Sequence, residues 1–195
     1  TVQSNSIGAS SNFSSSISIT GHGEFISTSS NAMVSAIFYI RVPSGVIEFK
    51  KATKHGVNAG PYQCLAAFGQ WSAQDSTGTL TIRGSFENSG SISSYGSVAA
   101  FHDGNINTDI VVRQHGGSGT GVYLWSESGD INGTMDVYSE GYGLYTVART
   151  SALSYLKGRF ETLTSNQGSN YALYFGPGYR GSFHVDAEIR GAIYI

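Results

Sequence analysis

The sequence predicts an all-β protein, a parallel β-helix (β-solenoid) with rungs of 20 to 28 residues, and three observations carry that reading. Glycine is abundant, 26 of 195 residues, while charged residues make up only 12%. A surface built from Ser, Thr, Asn, Gly and Tyr suits turns and strands rather than helices. Two kinds of short strand alternate along the chain, and helical periodicity is nearly absent. The one tempting segment, residues 150–163, is interrupted by Gly158 and reads as strand and loop.

In chain order, residues 1–15 form a Ser-rich lead-in from a preceding domain, and 16–195 form a single solenoid domain. The first residues have neither an initiator Met nor a signal-peptide layout, so the chain reads as a piece of something longer. "SSSISITGHGEFIST" and "AMVSAIFYIRVPSGVIEFKKA" carry the first strand runs, with "VPSG" as a turn inside the second. From residue 60 the pattern tightens. Nearly continuous apolar runs recur as "CLAAF" at 64, "VAAF" at 98, "VYLW" at 122, "LYTV" at 144, "ALYF" at 172 and "AIYI" at 192. Between them lie alternating strands: "GTLTIRG" at 78, "TDIVVRQ" at 108, "GTMDVYSEG" at 133, "GRFETLT" at 158 and "GSFHVDAEIRG" at 181.

The unit is therefore an apolar strand, a polar corner, an alternating strand and a Gly corner. At about 3.3 Å per residue, four or five residues make one face of about 15 Å before the chain bends. A single rung cannot bury its apolar side, but stacking on neighbours closes a continuous core. A β-sandwich or interlaced trimeric β-sheets would also give short strands with frequent turns. A sandwich has no reason to keep two strand types in phase over this length.

The net charge is −2, and Lys50, Lys51 and Lys54 make the only basic cluster, too little for a nucleic-acid surface. No apolar run reaches the roughly 18 to 20 residues of a membrane helix. The single cysteine, Cys64, excludes an internal disulfide and reads as a buried, inert thiol. No cofactor or metal is implied. "GGSGTG" (116–121) precedes no helix, and "DGNINTD" (103–109) lacks the full ligand set of a calcium loop. His102 beside Asp103 is a weak candidate for a base.

Sugars present apolar faces ringed by hydroxyls, so a glycan site calls for aromatic platforms among short polar side chains. Trp71, Trp125, Tyr138, Tyr142 and Tyr145 are the candidates, with Tyr142 between two glycines the most exposed by expectation. Packing inside the solenoid or at an oligomer interface competes for each ring. If the protein is an enzyme on polysaccharides, it needs two nearby carboxylates. The candidates are Asp186 with Glu188, Glu127 with Asp130, and Asp130 with Asp136. The same spacing is also what any solvated strand face shows.

Charge-poor rungs such as "STGTLTIRGSFENSG", "GDINGTMDVYSEG" and "GYRGSFHVDAEIRG" resemble the β-helical, receptor-binding parts of bacteriophage tail fibres and tailspikes. The resemblance covers residues 60–195 and is one of texture, not of a diagnostic motif. It implies a homotrimer assembled in the host cytoplasm, located in the virion and recognising a bacterial surface glycan. The alternatives after it are a polysaccharide depolymerase and then a structural fibre shaft.

Overall fold

The structure is a computed structural model that describes residues 2–3, 17–21, 25–26, 38–40, 45–54, 66–69, 78–88, 96–102, 104–115, 119–149, 153–162, 170–177 and 180–195. Its strands are numbered in chain order. A long-strand sheet stacks β2 (Ile17–Gly21), β5 (Gly45–Lys54), β7 (Thr79–Asn88), β9 (Asn105–Gln114), β11 (Ile131–Ser139), β13 (Leu153–Thr162) and β15 (Ser182–Arg190). A short-strand sheet stacks β4 (Phe38–Ile40), β6 (Ala66–Gly69), β8 (Gly96–His102), β10 (Thr120–Ser126), β12 (Tyr142–Ala148), β14 (Tyr171–Phe175) and β16 (Ala192–Tyr194). β1 (Val2–Gln3) and β3 (Phe25–Ile26) pair separately.

Every pairing is parallel, and the chain visits the two sheets in turn. This is the predicted parallel β-helix. Each rung has two strands. From β9 onward, partners lie 20 to 29 residues apart, as Tyr174 beside Tyr194 and Leu153 beside Ser182 show. Most of the segment "VPSG" lies outside the described residues, and β4 and β5 on either side of it belong to different sheets. Cys64, Trp71 and Asp103 lie outside the described residues.

The alternating strands differ from the expectation in length. They run nine or ten residues, not four or five, because several glycines expected at corners lie inside strands. Gly158 has φ +119° in the middle of β13, facing Met135 of β11. A Cβ there would sit 2.1 Å from the Met135 carbonyl oxygen. Glycine lets the strand bend over the core without breaking the ladder.

The core lies between the sheets. From the long strands, Leu80, Ile82, Phe86, Ile106, Val112, Ile131, Met135, Val137, Leu156 and Phe160 point inward with 0% exposure. Val98, Ala100, Val122, Leu124 and Leu144 meet them from the short strands, equally buried. The corners are polar inside. Asn88, Gln114 and Ser139 stand in register at the ends of successive long strands, and Ser139 Oγ donates to Gln114 Oε1. At the opposite corner, Ser126 Oγ lies 2.9 and 2.8 Å from the carbonyl oxygens of Gly104 and Gly129, which share its one proton, and it accepts from the Gly129 N–H at 2.9 Å. These bonds satisfy backbone groups that a buried corner would otherwise orphan.

In the apolar interior, Thr146 departs from this pattern. It is fully buried, and its Oγ1 has no partner among the described residues. Leaving a hydroxyl unpaired there costs free energy that an isosteric methyl does not. Thr146→Val is therefore expected to stabilise the fold by about 1 kcal/mol in chemical denaturation.

Candidate functional site

The two outer faces have opposite chemistry. On the short-strand sheet, outward positions carry an aromatic ladder. Tyr123, Tyr145, Tyr174 and Tyr194 occupy equivalent sites in four successive rungs. Their rings stack at 4.6, 4.7 and 4.6 Å, inclined by 8°, 18° and 7°. The rung repeat of about 4.8 Å sets this spacing, and each stack contributes about 0.5–1.5 kcal/mol beyond burial. Burial pushes the Tyr145 hydroxyl above its ordinary pKa, with Tyr174 and Tyr142 adding to it against a bond from Tyr123. Tyr174 is raised likewise, first by burial and then by Tyr194, Tyr142 and Tyr171. Both hydroxyls stay protonated at neutral pH and act as donors as well as acceptors.

Stacking uses up ring faces within the ladder, so its inner members show edges and hydroxyls. Tilted rings flank it. Tyr142 lies 5.8 Å from Tyr174 at 80° and 5.9 Å from Tyr171 at 31°. Tyr142 is half-buried rather than open. Gly143, expected to clear space around it, instead admits close backbone packing, since a Cβ there would meet the Ala172 carbonyl oxygen at 2.4 Å.

Trp125 stands on the same face, half-buried, in β10. Its Nε1 donates to Glu127 Oε1 at 2.7 Å, and the Arg149 guanidinium lies over the ring at 4.6 Å. Arg149 Nε is 3.8 Å from Glu127 Oε1. Trp125 is thus a platform for an arginine.

The long-strand sheet bears charges outward, arranged with alternating sign along the rungs. One column runs Glu48, Arg83, Asp109, Thr134, Lys157, Asp186; another runs Glu87, Arg113, Tyr138, Glu161, Arg190. Between them lie Asp136, Arg159 and Glu188. Opposite charges side by side favour this register. Asp136 is held by Arg113 at 2.7 Å and Arg159 at 3.2 Å. Partial burial pushes its carboxyl up, but the bonds and charges of Arg113 and then Arg159 outweigh that and hold it below the ordinary 3.8.

That shift gives a pH prediction. A carboxyl with a depressed folded pKa stabilises the fold fully above its unfolded value and loses that contribution as pH falls through the folded value. Thermal unfolding followed from pH 5 downwards should therefore fall more steeply for the wild type than for Asp136→Asn below about pH 4.

The candidate acids do not form a catalytic pair beside the aromatics. Asp186 and Glu188 do share the outward face of β15, but that is the face opposite the tyrosine ladder. Glu188 accepts from Arg190 Nε at 2.7 Å. Asp130 is a corner cap: its Oδ1 accepts from the Leu153 N–H at 3.2 Å, while its own N–H donates to Asn105 Oδ1 at 2.9 Å. Glu127 is engaged by Trp125 and Arg149. Residues 105–109 belong to strand β9 and so do not wrap a cation, and His102 is buried with Nε2 3.1 Å from the Gly78 carbonyl.

Of the expected glycan residues, the structure brings Trp125, Tyr142 and Tyr145 onto one face. Tyr138 is on the other, in the charged column and 5.4 Å from His115. Tyr123, Tyr171, Tyr174 and Tyr194 were not singled out by the sequence. For Tyr123, Tyr174 and Tyr194 the signal was present, since "VYLW", "LYTV", "ALYF" and "AIYI" align on the tyrosine. A cavity of about 600 Å³ opens at the last rung between Leu173, Phe175, Phe183, Val185, Ile189 and Ile193; among the described residues, no acid, histidine or cation lines it. Comparison with family models, curated proteins and solved structures gives no match for this chain.

Proposed function

We propose that this domain is the receptor-binding part of a phage tail fibre or tailspike, and that it holds a bacterial surface glycan across the outer face of its short-strand sheet. The observation that carries the reading is the segregation of the two faces. Tyrosine rings and neutral hydroxyls line one, while the acids on the other are matched to arginine and lysine along the rungs. Aromatic edges, tilted rings and protonated hydroxyls suit a polyhydroxylated ligand with apolar patches. A homotrimer in the virion, assembled in the host cytoplasm, belongs to the same proposal.

Depolymerisation is the second reading, favoured by one observation: Asp186 and Glu188 are exposed side by side on β15. Incubation with capsular or O-antigen polysaccharide from candidate hosts, followed by size-exclusion chromatography with light scattering, separates the two. Binding predicts polysaccharide of unchanged mass co-eluting with a trimer. Shortened polysaccharide, abolished by Asp186→Asn, would establish the enzyme instead.

A further inference from the structure

We infer that the glycan is acidic, and that Arg149 and Arg180 form the subsite for its carboxylate or phosphate groups; this rests on the glycan-binding reading above. The argument begins with a rule this protein keeps elsewhere. On the long-strand face, described charges in adjacent rungs are of opposite sign along each column. At the corner beside the aromatic face that rule fails. The Glu127 N–H donates to the His102 carbonyl, Arg149 N–H to Ser126 and Arg180 N–H to Ala148. Since His102, Ser126 and Ala148 are in register, Glu127, Arg149 and Arg180 occupy one column in successive rungs. Its order is acid, cation, cation.

Two arginines one rung apart, at about 4.8 Å between backbones, repel each other unless an anion lies between them. Glu127 answers Arg149 alone, weakly at 3.8 Å, and its Oε1 also accepts from Trp125. Arg180 is exposed, and among the described residues its guanidinium has no acceptor. Arg149 is fixed over the Trp125 ring, with its terminal nitrogens lacking protein acceptors among the described residues. A guanidinium ordered by stacking, with its fork free, is suited to bidentate capture of a carboxylate or phosphate. Departures from a rule obeyed elsewhere mark functional positions. The face then divides into a charge-reading corner at Arg149 and Arg180 and a sugar-contacting ladder beside it.

The test is an array of bacterial surface polysaccharides, some carrying uronate, sialate or phosphate and some neutral, probed with wild type, Arg149→Gln, Arg180→Gln and, on the opposite face, Arg83→Gln. Retention follows only acidic polymers and weakens as ionic strength rises from about 0.05 to 0.5 M. Arg149→Gln and Arg180→Gln each lower affinity about tenfold, and Arg83→Gln leaves it unchanged. Circular dichroism and melting temperature confirm that these surface variants fold. Binding to neutral polymers that is indifferent to Arg149 and Arg180 would overturn this inference while leaving the glycan reading intact. Binding to no polymer would overturn both.

Discussion

Gly158→Ala is expected to cost at least about 3 kcal/mol, and to unfold the domain if its total stability is at the low end of the usual range. Two effects add. The φ of +119° is one that L side chains rarely adopt, and the new Cβ would sit 2.1 Å from the Met135 carbonyl oxygen and 2.9 Å from its carbon. The neighbour is backbone inside a parallel ladder, so it cannot swing aside as a side chain would. Relief would need β11 and β13 to separate, and the 0%-exposed Met135, Leu156 and Phe160 pack where they meet. Urea unfolding measures the loss, with Thr134→Ala, an exposed position on β11, as the control expected to change stability little. A Gly158→Ala protein as stable as wild type would mean that β13 does not bend at this residue.

Tyr142→Ala is expected to weaken polysaccharide binding by about 30-fold or more, the effect of truncating an aromatic hot spot. The ring flanks Tyr174 and Tyr171 at an angle, so it contributes a surface that the stacked ladder cannot. Because it is half-buried, part of any change could be structural. The melting temperature of Tyr142→Ala separates the two, and Tyr142→Phe, which keeps the ring, is expected to bind nearly as well as wild type. If Tyr142→Ala binds as wild type, the ligand contacts the ladder elsewhere and the tilted ring is packing alone.

How much of this was legible in the sequence depended on which residues were used as markers. The apolar runs were sound markers: Val98, Val122 and Leu144, the starts of three quoted runs, are in register. Their inward side chains repeat because each fills the same slot in the core. Glycines were poor markers. Gly133 and Gly158 look like the same step of the repeat, yet Gly133 pairs with Leu156, and Gly158 with Met135. Glycine is placed by where a particular strand must bend, and that point moves along the strand from rung to rung. The motif "RGSF" at 83 and "KGRF" at 157 was the better guide, since Gly84 and Gly158 both lie in the column of Ile110 and Met135.

The site was half legible. Aromatic abundance pointed to stacking, but not to its side of the sheet, because Tyr138 and Tyr145 look alike until each is placed in or out of register. Tyr145 follows the core residue Leu144 and points outward among tyrosines, whereas Tyr138 follows Val137 and points outward among charges. The carboxylate pairs were read from spacing along the chain. The partners of Asp136 lie one rung away in sequence, Arg113 and Arg159 each 23 residues off. No local window contains those contacts.

The central claim is that ligand is held on the short-strand face, and hydroxyl-radical footprinting of the protein with and without bound polysaccharide tests it most directly. The account predicts protection of Trp125, Tyr142, Tyr145 and Tyr174, with Tyr138 and Tyr155 on the opposite face unchanged. Protection centred on Tyr138, Tyr155 and His184 instead would place the ligand beside Asp186 and Glu188 and contradict it.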